Sequence, residues 1–353
     1  MSVRLDNRRM HVIRRLSLVA AGLWVALLLL VLFRPAQSDV SPRTGSPVLK
    51  NFSAVRADTG RIKITMADES YTLERRGEQW VMEETGGYPV RMDRLNTLAE
   101  GLETLTWGAR RTSDPNRLSR LGLGDPTEGG NGVLVEVFAS DGAKTAEMIT
   151  GRRGDQLYAR APRENIAFQV NGELPPLYTH EAWLDLDIIN IDASSISAVR
   201  MTDASGDSIY LTRPPGGSAR SFTPAPPFQN DEIRSSLAVS TSALAISRFM
   251  PVDVKAESDL SGRPVARHIS GTFDGLEIDL RAWREEDGYW ATLRAVEAGE
   301  GARRARTIND KAQGWAFKLT EYDWREFAPD VSSLVSRAEP SEGVPPPPTD
   351  FQP

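Results

Sequence analysis

The sequence of 353 residues contains no cysteine. That absence excludes disulfides, thiolate metal sites, a cysteine nucleophile and the lipidated cysteine of a lipoprotein. Histidine is scarce as well, with His11, His180 and His268 only. Each stands alone without a neighbouring ligand motif, so the sequence holds no local zinc signature. A G-x-S-x-G elbow for a serine hydrolase is also missing. So is a basic surplus, because the formal charge of the chain is −6. Arg4, Arg8, Arg9, Arg14, Arg15 and Arg34 against Asp6 give residues 1–34 a net +5, which leaves −11 for the rest. An acidic remainder argues against nucleic acid, whose affinity is built from Lys and Arg on phosphate. It argues equally against broad adhesion to an anionic membrane surface.

What is present begins with Leu16 to Phe33, LSLVAAGLWVALLLLVLF, a run of 18 residues without a charge. As a helix it spans about 27 Å, close to the roughly 30 Å hydrocarbon core of a bilayer. No polar stripe exists that could face water, as a buried soluble helix would need. Five arginines precede the run, and the following flank is poorer in positive charge. The positive-inside rule then puts the N-terminus in the cytoplasm and the remainder in the periplasm. A cleavable leader is the rival reading, with Ala36-Gln37-Ser38 at the spacing for cleavage. The apolar run exceeds the usual leader core, and Arg34-Pro35 closes it as a helix end would. The expectation is therefore a retained single-pass anchor in the inner membrane.

Residues 34–50 are rich in Pro, Ser and Gly and read as a tether. Residues 338–353 are Pro-rich and acidic, cannot form a core, and read as a disordered tail. Between them one pattern occurs twice. In the first copy Ile62, Ile64 and Met66 alternate with polar residues as a strand, and Tyr71 to Arg75 alternate again after a turn at 67–70. Gln79-Trp80-Val81-Met82 follows Gly77. Leu95, Leu98, Leu102 and Leu105 then predict a helix near 92–106 with one apolar face. Asp93 suits the dipole of its first turn.

The second copy starts near Ile196, with Val199 and Met201 in a strand and a turn at 203–207. Ile209 to Arg213 echoes Tyr71 to Arg75, and Phe222 stands where the first copy has Trp80. A second helix is expected with Ile233, Leu237 and Leu244 on one face. Later, Gly132 to Val137 resembles Gly275 to Leu280. Asp155 to Arg160 resembles Asp287 to Thr292, and Ala167 to Val170 resembles Ala316 to Leu319. The expected architecture is α+β: a basic segment 1–15, a transmembrane helix 16–33, a linker 34–50, two tandem strand-rich α+β modules at 51–193 and 194–337, and the tail 338–353.

Candidate sites weigh against chemistry. Gly142-Ala143-Lys144-Thr145 resembles the end of a phosphate-binding loop, but Val137 stands where the earlier glycine belongs. Asp141-Gly142 reads better as a hairpin turn. Gly122-Leu123-Gly124 lacks a third glycine and leads into Asp125-Pro126, which is turn chemistry. Asp185, Asp187 and Asp192 crowd one stretch. Leu184, Leu186 and Ile188 alternate with the first two, which reads as a solvated edge. Trp80, Trp107, Trp183, Trp283, Trp290, Trp315 and Trp324 could stack on sugars, but their strand-like alternation with aliphatics reads as core. No catalytic, cofactor or metal residue is assigned.

Glu78 to Met82, Pro89, the Leu-rich helix, Leu121-Gly122-Leu123 with Pro126, and the strand at 133–137 form a characteristic order. Ile149-Thr150-Gly151, Leu157 to Arg160 and Phe168-Gln169-Val170 continue it. This order resembles the bacterial domain-of-unknown-function family 4340, well over 60–200 and more weakly over 200–335. The resemblance implies an anchored envelope protein with an accessory, non-enzymatic role, in some members beside a gliding-motility-type ABC transporter. It brings no catalytic residues and implies no cofactor. The expected partners are the membrane and envelope proteins such as ABC transporter subunits. A periplasmic module binding glycan or lipid is the alternative, and a hydrolase with a dispersed site the third reading.

Overall fold

The computed structural model describes residues 43–50, 52–296 and 301–338. The architecture is α+β, with two large antiparallel sheets and few helices. No helix among the described residues is long and apolar enough to cross a membrane. The Leu16–Phe33 run, the linker up to residue 42 and the tail beyond Ala338 lie outside the described residues.

The first sheet contains β1 (Thr59–Thr65), β2 (Ser70–Arg76), β3 (Gln79–Met82), β4 (Tyr88–Pro89), β5 (Thr106–Thr112), β6 (Val133–Ala139), β7 (Lys144–Arg153), β8 (Gln156–Arg160) and β9 (Ala167–Asn171). Its spatial order is 4-3-2-1-6-7-8-9-5. The short helix α1 (Phe52–Val55) precedes it, and α2 (Met92–Thr104) links β4 to β5. Helix α2 ends two residues before the predicted limit. Its Leu95, Leu98 and Leu102 are buried against the inner face of the sheet, as their three- and four-residue spacing requires. Burying each such side chain stabilises the fold by about 1.5–3 kcal/mol. Asp93 in its first turn pairs with Arg91 at 2.7 Å.

The second sheet contains β10 (Ile196–Thr202), β11 (Ser208–Thr212), β12 (Thr223–Pro224), β14 (Asp253–Ala256), β15 (Ala266–Thr272), β16 (Glu277–Glu285), β17 (Gly288–Val296) and β18 (Trp315–Leu319), in the order 12-11-10-15-16-17-18-14. A two-stranded ribbon pairs β13 (Glu232–Ile233) with β19 (Val335–Ser336). The helices here are α3 (Ser236–Ala243), α4 (Ala302–Ala312), α5 (Glu321–Phe327) and α6 (Val331–Leu334). If β10 is set on β1, the two orders coincide strand for strand, except that β4 of the first sheet has no counterpart in the second.

Register fixes which residues are equivalent. Ile64 opposes Tyr71 and Met201 opposes Ile209, so Arg75 and Trp80 match Arg213 and Phe222. Tyr158 matches Trp290, and Phe168 matches Phe317. One expected correspondence is corrected. The strand that matches 133–137 is β15, not the stretch 275–280, because β15 and β6 are the strands that pair with β10 and β1. The second helix is also shorter than expected. Ser235 caps it by accepting from the Ala238 amide, so it starts at Ser236, while Ile233 is drawn into β13 opposite Val335. Leu237 is 58% exposed rather than on a buried face.

Exposed sheet edges invite unwanted pairing, and both outer edges here are covered. Residues 43–48, read as tether, run along β5. The Gly45 amide donates to the Trp107 carbonyl, Trp107 to Ser46, and Val48 to Leu105. Arg43 adds a bidentate pair with Glu164. Their backbone groups fill the vacant ladder of β5, which composition does not register. At the other end β12 lies beside the β13–β19 ribbon. The inner edges β4 and β14 meet, and Tyr88 of β4 stands edge-on to Trp315 and Phe317 of β18. One core cluster runs through residues of both sheets.

Candidate functional site

The glycine motifs resolve as turns. Gly142, with φ of +87°, closes the β6–β7 hairpin, and Lys144 pairs with Glu136 and Glu147 at 2.9 and 2.7 Å. Gly122 is a left-handed cap after Pro115–Leu121, and Leu123 behind it is fully buried. Among the described residues no group of three His, Cys, Asp or Glu could hold a metal ion.

The three aspartates are not brought together as a site. Asp192 caps the turn Ala193–Ser195 through the Ser194 amide. Asp185 pairs with Lys311 of α4 at 3.0 Å, and the Lys311 ammonium also donates to the Asp187 carbonyl. Leu184 and Ile188, on either side of Asp185 and Asp187, are buried. The stretch thus fastens the crossing segment to α4. Of the seven tryptophans considered, Trp107, Trp183, Trp283, Trp290 and Trp324 are buried, while Trp80 and Trp315 lie partly buried against the core.

His180 stands where the two sheets meet. Its Nδ1 contacts Glu69 in the β1–β2 turn, and its Nε2 lies 3.2 Å from Asp253 at the start of β14. Glu181, its neighbour, is 3.9 Å away. The hydrogen bond to Asp253, then that to Glu69, raises the imidazole to about 9 against the opposing effect of burial. The ring is therefore a cation at neutral pH, bridging carboxylates from both sheets.

His268 is the opposite case. It is fully buried on the inner face of β15. Its Nε2 lies 3.0 Å from the Ser242 carbonyl, its Nδ1 3.3 Å from Ser270 Oγ, and Phe327 stands edge-on to the ring. Burial pushes it down to about 4, so it is neutral in the fold. With no route to solvent, this His–Ser pair holds structure and offers no nucleophile.

A surface feature remains that spacing alone did not reveal. Helix α3, the turn Ala245–Arg248 and helix α5 pack at one corner of the second sheet. Arg248 ties them by donating to the Thr241 carbonyl and to Glu326 at 2.8 and 2.7 Å. On these elements and the segment entering β14, Leu237, Met250, Val252 and Tyr322 are 58, 76, 40 and 64% exposed. The signal in the sequence was Leu237 in a helix whose other apolar residues are small, together with Met250-Pro251-Val252 between helix and strand.

The profile of the family described as a domain of unknown function, DUF4340, matches residues 80–262, more than half of the chain. The chain belongs to this family. The DUF4340 match begins in β3 and ends between β14 and β15. It therefore straddles the two sheets, and leaves out residues 60–79 and 263–335 of the span over which the resemblance was read. No curated protein matches the chain.

Proposed function

We propose that this DUF4340 protein is a membrane-anchored accessory module of the cell envelope, held by Leu16–Phe33 and docked on a protein partner through the corner of α3 and α5. Subunits of an ABC-type transporter are the first partners to test. The observation that carries the reading is four exposed apolar side chains, Leu237 and Tyr322 on helices that pack together, and Met250 and Val252 on the segment just after the turn Ala245–Arg248 that packs with both. Single exposed apolar residues are ordinary on a monomer, whereas a grouped set rimmed by charge marks a contact surface. Arg325 and Glu321 of α5, both well exposed, supply such a rim. Aromatic and Met side chains are the types that concentrate binding energy at contacts.

The test is photo-crosslinking in intact cells from a reactive group placed at Leu237 or Tyr322, followed by detergent purification and mass spectrometry. Transporter subunits should be recovered, and their yield should fall at least fivefold in L237S/Y322S. The double variant should keep the wild-type unfolding midpoint, since both side chains are exposed. Recovery of the protein alone from both positions would sink the reading.

A further inference from the structure

The outer faces of the two sheets differ where their backbones correspond. In the first, the excursion between β5 and β6 folds over the sheet. Leu118, Leu121 and Leu123 cover Leu134, Ile149, Tyr158 and Ala167 in a separate apolar cluster. The approach is close. A Cβ on Gly151 of β7 would lie 2.0 Å from the Gly122 carbonyl oxygen. Thr65 opposes Leu134 and Leu134 opposes Ile149; Thr202 opposes Arg267 and Arg267 opposes Arg281. The covered Leu134 and Ile149 thus become Arg267 and Arg281. The second sheet's excursion, residues 257–265, is shorter, and its Leu260 packs against the small cluster of Trp283, Trp290 and Ala316.

The uncovered part of this face is a cleft of about 580 Å³ between β16, β17 and the end of α4. Trp283 and Thr292 form its floor, and Glu257, Arg281, Arg294 and Gln313 stand around it. Asp279, buried beneath, is already satisfied by Arg267 at 2.7 and 2.9 Å. Arg281 touches it at 3.4 Å and remains half exposed. Arg294 is exposed and makes no ion pair or side-chain hydrogen bond among the described residues. With Asp279 engaged by Arg267, the cleft therefore sets Arg281 and Arg294 against Glu257, with an amide and a hydroxyl beside an indole.

We propose that this cleft binds an anionic sugar residue. Its carboxylate or phosphate sits between Arg281 and Arg294, whose forked guanidinium donors match such oxygens. Its hydroxyls meet Gln313, Glu257 and Thr292, a mixed donor and acceptor set that a bare anion would not use. A concave site with few convergent polar groups is the ordinary form of a small-ligand site. This site is separate from the α3–α5 corner, so either can fail while the other stands.

The experiment is isothermal titration of the full chain in a detergent without a sugar headgroup, using trigalacturonate, glucose 6-phosphate, maltotriose and inorganic phosphate. Trigalacturonate or glucose 6-phosphate should bind saturably, and whichever binds more tightly tells carboxylate from phosphate. Maltotriose and inorganic phosphate should bind at least tenfold more weakly. R281Q and R294Q should each lower the affinity for the anionic sugar about tenfold or more and leave the thermal midpoint in place, while R153Q on the first sheet should change neither. No saturable binding, equal binding of maltotriose or inorganic phosphate, or unchanged affinity in both cleft variants overturns the proposal.

Discussion

At matching positions the two sheets carry opposite chemistry on both faces. On the inner face Ile64 opposes Val135 and Ile62 opposes Val137 in the first sheet, whereas Met201 opposes His268 and Val199 opposes Ser270 in the second. On the outer face Leu134 and Ile149 stand against Arg267 and Arg281. The strand order survives these exchanges because it depends on backbone pairing. Each polar side chain has its own partner: the Ser242 carbonyl for His268, and Asp279 for Arg267. Satisfaction of a buried polar group, rather than its polarity, decides whether the site tolerates it.

The largest effect follows from moving one sheet's chemistry into the other. Ile149 is fully buried under Leu123 and its neighbours, and its cross-strand partner Arg160 already takes the nearby carboxylate, Asp125, at 3.7 Å. I149R should destabilise the first sheet by about 3–5 kcal/mol, the cost of a buried and unpaired charge. R281I, at the equivalent but half-exposed position, should change stability by less than about 1 kcal/mol. Urea unfolding of both variants measures the asymmetry, and equal losses would show that the two outer faces are not different environments.

The inner faces should differ in their response to acid. His268 is held at about 4 when folded and near 6.5 when unfolded, so the unfolded chain takes up a proton that the fold refuses. Its contribution is complete above pH 6.5 and is lost as pH falls through 4, an effect of order a few kcal/mol. H268V should remove that slope from the urea midpoint measured between pH 6.5 and 4. At neutral pH it should also cost about 1–3 kcal/mol, because the Ser242 carbonyl loses its donor. A wild-type midpoint that runs level over this range, or a slope that H268V keeps, would mean the ring is reached by solvent.

This inner face also explains what could be read in advance and what could not. Strands and the helix of the first half were legible because Leu95, Leu98 and Leu102, or Ile62 and Ile64, declare their buried side by period alone. In β15 the buried side reads Ala266, His268, Ser270, Thr272, a polar series that period assigns to solvent. Hence the match to residues 133–137 slid onto the more apolar stretch at 275–280. What makes the polar series buriable is Ser242 and Phe327, one distant on each side in sequence. The cleft was hidden for a related reason: Arg281 becomes informative only when register sets it on Ile149. The corner of Leu237 and Tyr322 joins two helices separated by most of the second sheet.

The junction between the sheets gives the smallest effect, of opposite sign in pH. His180 faces Glu69 from the first sheet, Asp253 from the second and Glu181 from its own turn, all of them carboxylates. Its folded value of about 9 lies above the unfolded 6.5. The stabilisation is therefore complete below pH 6.5 and disappears as pH rises through 9. Because Glu69 and Glu181 are each two-fifths or more exposed, solvent screening holds the effect to about 1 kcal/mol. Thermal unfolding at pH 6 and pH 10 should show a lower midpoint at the higher pH, and H180N should bring the two values together. A difference that persists in H180N would assign the alkaline loss to other groups. The two sheets would then be joined by Tyr88 against Trp315 and by the shared core, without a charged clamp.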